Sequence, residues 1–112
     1  MYIERINQYK HQLKRLQKAN GLPEQDLKTR YKKSYQDIRE SVRKETPEVI
    51  KILAFGDCRR GEEDRINRYL ETQEAKTVLK QVYYILSRPD FKTVSLTARI
   101  LKEGFRAYDS VG

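Results

Sequence analysis

At 112 residues the chain has room for one domain with a modest core and not for two. Hydrophobic residues make up 38% and charged residues 36%, which suits thin amphipathic helices and argues against a sheet buried on both faces. The net charge is +8, from 24 Lys and Arg against 16 Asp and Glu, and the lone cysteine, Cys58, rules out an intramolecular disulfide.

Residues 2–44 read as two long helices folded back on each other. Apolar residues fall at Tyr2, Ile6, Tyr9, Leu13 and Leu16 in the first arm, and at Leu27, Tyr31, Tyr35, Ile38 and Val42 in the second. Steps of three and four are helical stripes, whereas a strand alternates with period two. In the link Asn20-Gly21-Leu22-Pro23, glycine supplies positive φ to close the first helix and Pro23 suits the first turn of the next. So short a link makes the two arms antiparallel neighbours.

The segment Glu45-Thr46-Pro47-Glu48 reads as a helix start, with Thr46 as N-cap and Pro47 in the first helical position. Residues 47–55 are apolar on several sides and predict a central helix, stopped by Gly56. Residues 57–61 form a polar loop, and Glu62, Glu63 and Asp64 then favour the first turn of another helix. Residues 62–87 keep a helical pattern, either as one long helix or as two that meet near Thr72. Residues 82–86 have strand propensity, but no second strand of equal strength is there to pair with them. Ser87-Arg88-Pro89-Asp90 predicts a turn, and residues 93–108 a last helix with Val94, Ala98, Leu101, Phe105 and Tyr108 on its stripe. Leu96 and Ile100 lie off that stripe, and residues 109–112 are expected to fray. The fold expected is all-α: a single domain over residues 1–112, a bundle of about five helices made of a basic hairpin (2–45) and C-terminal helices (46–108).

Charge is unevenly spread. Up to Glu45 there are 12 basic and 6 acidic residues, leaving +6; from Thr46 onward 12 basic and 10 acidic residues leave +2. At about 100° per residue, His11, Lys14, Arg15 and Lys18 lie opposite the first apolar stripe, while Lys28, Lys32, Arg39 and Arg43 share one flank of the second arm. A one-sided basic row suits the regularly spaced charges of a phosphate backbone. A solvated helix face with i,i+4 ion pairs is the plainer account of the same residues.

Other motifs carry less. Residues 75–108 fit a helix-turn-helix in outline, with Lys92, Thr93, Ser95, Thr97 and Arg99 at the start of the second helix. Pro89 in the link and the apolar Leu96 and Ile100 on the reading face speak against it. Cys58 stands beside Arg59 and Arg60, but no acid, base and oxyanion set surrounds it. The only histidine is His11, and no cluster has metal-ligand spacing. With no phosphate loop and no nucleophile arrangement, neither enzymatic activity nor a cofactor is expected. Tyr9, Tyr31, Tyr35, Tyr69 and Tyr83 fall on or beside core stripes, whereas Tyr84 stands off them.

These features predict a basic, cytoplasmic, non-enzymatic protein that binds DNA or RNA, or sits in a nucleoprotein complex, in a regulatory or accessory role. Lys14, Arg15, Lys18, Lys28, Lys32, Arg39 and Arg43 would hold phosphates, with Arg59 and Arg60 assisting. The alternative is an inhibitor, adaptor or immunity-type module docking on an acidic protein through Tyr84, Leu96 and Ile100. Narrow stripes also suit pairing with a second copy, so a homodimer is among the expected partners. No membrane is expected: the longest apolar runs fall far short of the roughly 20 residues needed to cross a bilayer, and the first residues lack signal-peptide character.

Overall fold

The structure, a computed structural model, describes residues 2–85 and 90–111, without the side chains of 82–85. All its regular elements are helices: α1 (Tyr2–Ala19), α2 (Glu24–Tyr31), α3 (Tyr35–Phe55), α4 (Glu63–Leu70), α5 (Gln73–Ile85) and α6 (Phe91–Val111). The all-α class is therefore as the sequence predicts, with six described helices in place of about five. Among these residues no helix is long and apolar enough to cross a membrane. The chain divides into two compact units, Met1–Val49 and Ile50–Gly112, with the division inside α3.

In the first unit, α1 buries Tyr9, Leu13, Leu16 and Ala19, and Gly21 leaves the helix at φ +91. Leu27 of α2 and Ile38, Val42, Thr46 and Val49 of α3 are buried with them. The pairing of α1 is read from three contacts. Arg5 bonds Glu48 at 3.3 Å, Tyr9 bonds Thr46 at 3.0 Å, and Gln12 donates to Glu45 at 3.1 Å. Numbers rise along α1 as they fall along α3, so the two run antiparallel.

Two expectations are corrected here. The second arm is not one helix: it breaks between α2 and α3, where Lys32 takes a left-handed conformation at φ +54 and its N–H bonds the Lys28 carbonyl at 3.1 Å. Ser34 and Asp37 then form a reciprocal capping box, the Asp37 N–H donating to Ser34 Oγ and the Ser34 N–H to Asp37 Oδ2. Nor is Thr46 an N-cap. It lies inside α3 at 3% exposure, and its hydroxyl donates to the Val42 carbonyl at 2.6 Å, so Tyr9 must be the donor in their shared bond. Pro47 sits within the helix, where its missing N–H leaves the Arg43 carbonyl without its i+4 partner.

In the second unit, α5 and α6 pack along each other and α4 lies against both. α4 and α5 are separate helices that meet at Thr72, whose hydroxyl donates to the Tyr69 carbonyl at 2.6 Å and accepts the Ala75 N–H at 3.3 Å. The core holds Ile50, Ile52, Ala54, Ile66, Tyr69, Ala75, Val94, Ala98, Leu101 and Phe105. The Phe105 ring meets Phe55 edge-on at 5.6 Å and Tyr69 at 5.8 Å. Gly104 is what allows this packing: a Cβ there would collide with the Tyr69 hydroxyl, so the ring rests directly on the α6 backbone. Burial, and then the nearby Glu74 carboxylate, push the Tyr69 phenol above its ordinary pKa.

Residues 87–89 of the predicted turn lie outside the described residues, but Asp90 is an N-cap of α6, accepting the Thr93 N–H at 2.6 Å. The expected fraying at the end is corrected for residues 109–111, which continue α6. Arg65 of α4 donates to both carboxylate oxygens of Asp109, at 3.1 and 3.3 Å, and ties down that last turn.

Two measurements check this packing. Helix propensity alone favours Gly104→Ala by about 1 kcal/mol, and overpacking against Tyr69 opposes it by about 1–3 kcal/mol. G104A should therefore be neutral to destabilising in urea unfolding. In a Tyr69→Phe background the same change should be more favourable by at least about 1 kcal/mol. Asp90→Ala should cost about 1 kcal/mol at neutral pH. The backbone N–H of Thr93 holds the Asp90 carboxyl below the usual carboxylate range. A depressed acid stabilises fully above its unfolded pKa, near 3.9, and loses that contribution as pH falls through the lower folded value. The gap between wild type and D90A should therefore shrink below about pH 4.

Candidate nucleic-acid interface

On α1, residues 11, 14 and 18 fall on the side away from Tyr9, Leu13 and Leu16, and His11, Lys14 and Lys18 are exposed. Arg15 is half-buried because its guanidinium stands 6.0 Å from the centroid of the Tyr31 ring, a cation–π approach that joins α1 to α2. Lys28 is exposed in the last turn of α2, and the left-handed Lys32 is exposed just after it. The break at residues 32–34 removes the single helical phase that would have put Lys28, Lys32, Arg39 and Arg43 on one flank. They form two pairs, one at the end of α2 and one on α3.

On α3, Arg39 and Arg43 line a groove of about 390 Å3 together with Gln36, Glu40 and Lys44. Arg39 is half-buried and its Nε is buried without a hydrogen-bond partner. Lys44 pairs with Glu40 at 3.8 Å, so one carboxylate sits within the basic groove. Gln36 and Lys44 were not among the expected phosphate ligands. The i,i+4 step from Gln36 to Glu40 and on to Lys44, beside that from Arg39 to Arg43, is their sequence signal once the start of α3 is known.

The acids of this unit have structural duties. Glu48 pairs with Arg5, Glu45 accepts from Gln12, Asp37 closes the capping box and Glu40 holds Lys44. Glu24 and Asp26 stand in the first turn of α2 and Glu4 in that of α1, where the helix dipole favours negative charge. Among the described residues, Lys14, Lys18, Lys28, Lys32 and Arg43 have no carboxylate partner.

Arg59 and Arg60 lie in the second unit, where they line a cavity with Arg65 and Arg106. Arg106 carried no signal in the sequence, because only tertiary packing brings α6 beside the loop at residues 56–62. Cys58 is a half-buried free thiol. Of the residues proposed for a reading helix, Lys92 and Arg99 are exposed, while the Thr97 hydroxyl donates to the Thr93 carbonyl at 2.9 Å. Leu96 and Ile100 are exposed on α6, and the side chain of Tyr84 lies outside the described residues. Among the described residues no group of three His, Cys, Asp or Glu side chains is placed to hold a metal ion. No family model matches the chain, and no curated protein or solved structure matches it either.

Proposed function

We propose that the chain is a small, non-enzymatic nucleic-acid-binding protein with a regulatory or accessory role, and that its first unit meets the phosphate backbone. The observation that carries this reading is the asymmetric use of charge. Glu45 and Glu48 are engaged in the pairing of α1 with α3 and Asp37 in capping, while Lys14, Lys18, Lys28, Lys32 and Arg43 face solvent with no carboxylate partner among the described residues. Exposed cations of this kind attract phosphates chiefly by releasing counterions, so the binding is non-specific in sequence. Arg39, with its stem partly buried, is the most firmly positioned of the cations in the α3 groove.

A second reading has an observation of its own. Leu96 and Ile100 are 55% and 45% exposed on α6. Ile100 also lines a groove of about 780 Å3 with Val78, Tyr108 and Val111, rimmed by Arg65 and Arg68. These would serve as apolar anchors and basic rim for an acidic protein partner, in an inhibitor, adaptor or immunity-type role.

Affinity for duplex DNA and for RNA across a salt series tests the first reading. Binding near physiological salt that weakens steeply as salt rises is expected, and K14E/R43E should weaken it by about tenfold and reduce the salt slope by about 2. Glu40→Gln, by releasing Lys44, should strengthen it about two- to threefold. Binding indifferent to salt, or none near physiological salt, overturns this reading. Leu96→Ala with Ile100→Ala should leave nucleic-acid affinity unchanged; a loss of function from that pair alone would favour the second reading.

A further inference from the structure

Four arginines from three separate pieces of the second unit line one cavity of about 360 Å3: Arg59 and Arg60 from the loop before α4, Arg65 from α4 and Arg106 from α6. Glu62 and Asp109 complete the lining, so the wall carries two more positive than negative charges. Both acids are engaged. Asp109 takes two hydrogen bonds from Arg65, and Glu62 takes the Arg59 N–H at 3.3 Å and lies 3.7 Å from Arg106. Glu62 is 8% exposed, and its two carboxylate oxygens tie the loop backbone and the Arg106 head to one buried side chain. The guanidinium groups of Arg59 and Arg60 have no carboxylate partner among the described residues. Those of Arg65 and Arg106 stay half-exposed toward solvent.

Four arginines line this one cavity, and its two carboxylates offset only half of their charge. The deficit matches a dianion. A phosphate monoester carries about −1.5 to −2 near neutral pH and presents three acceptor oxygens, and planar guanidinium forks bind such oxygens in pairs. A phosphodiester carries only one charge per unit, and a polymer backbone needs an open row of cations. A cavity of this size, at the small end of ligand pockets of roughly 300–1,000 Å3, suits a phosphoryl group with a small substituent. We propose that the cavity bounded by Arg59, Arg60, Arg65 and Arg106 binds a dianionic phosphate monoester, independently of the basic surface of the first unit.

The test is an amide chemical-shift titration of the full chain with phenyl phosphate, and with dimethyl phosphate as the monoanionic control, at matched ionic strength. Phenyl phosphate should give saturable shifts at residues 59–66 and 104–109, with dimethyl phosphate about tenfold weaker. R59Q/R60Q removes two cations without touching either ion pair, so the fold is retained, and it should weaken phenyl phosphate by about tenfold. Arg106→Gln should weaken it as well. A 5′-phosphorylated trinucleotide and its 5′-hydroxyl form distinguish the source. A gain specific to the 5′-phosphate assigns a nucleic-acid end, and its absence assigns a free ester; either sustains the site if phenyl phosphate saturates. Shifts that do not saturate, that are equal for the two esters, that survive R59Q/R60Q unchanged, or that fall only on residues 14–43 overturn the proposal. Failure of the first-unit variants to alter nucleic-acid binding leaves this result untouched, so the two readings fail separately.

Discussion

The first unit turns on one short hydrogen-bonded relay. The Tyr9 hydroxyl donates to Thr46, and Thr46 donates to the Val42 carbonyl, in a setting where Tyr9 is 0% exposed. A Tyr9 hydroxyl buried this deeply needs a partner, since an unpaired one costs about 1–3 kcal/mol. That requirement fixes which turn of α3 lies against which turn of α1. With the register set, Arg5 falls opposite Glu48 and Gln12 opposite Glu45. The relay also gives Thr46 a hydrogen-bonding role within a helix that contains Pro47.

Charge placement follows from that register. The carboxylates on the seam and at the caps are committed to holding the fold, so the remaining exposed cations set the field at the surface of the first unit. Their number, more than any single contact, sets the strength of that field, because exposed ion pairs contribute little individually. The second unit uses charge differently. There the acids Glu62 and Asp109 orient arginines instead of neutralising a face, and they do so from the loop before α4 and from the end of α6.

The sequence makes the middle of the α1 and α6 stripes legible, where Tyr9, Leu13, Leu16, Val94, Ala98, Leu101 and Phe105 are buried as the three-and-four spacing predicts, while Tyr2 and Tyr108 at the stripe ends are exposed. The break between α2 and α3 was equally present, as Ser34 followed three residues later by Asp37, but Tyr31, Tyr35 and Ile38 keep helical spacing across it and mask it. Thr46-Pro47-Glu48 misleads for the opposite reason: it has the composition of a helix start, yet Tyr9 supplies a tertiary partner that makes Thr46 more useful inside the helix. The last turn of α6 was illegible because its anchor, Arg65, lies far away in sequence. The arginine cavity depends on the same kind of long-range placement, which no local pattern encodes.

Lys32 holds a backbone conformation that costs an L-residue about 1–2 kcal/mol and glycine almost nothing. The chain spends that energy at a joint between two helices, where Lys32 and Lys33 both stand in solvent. An exposed dibasic pair between two helices is the kind of site a trypsin-like protease accommodates readily. Brief digestion should therefore nick the polypeptide there before it attacks the lysines within α1, separating the segment that ends at α2 from the segment that begins with α3.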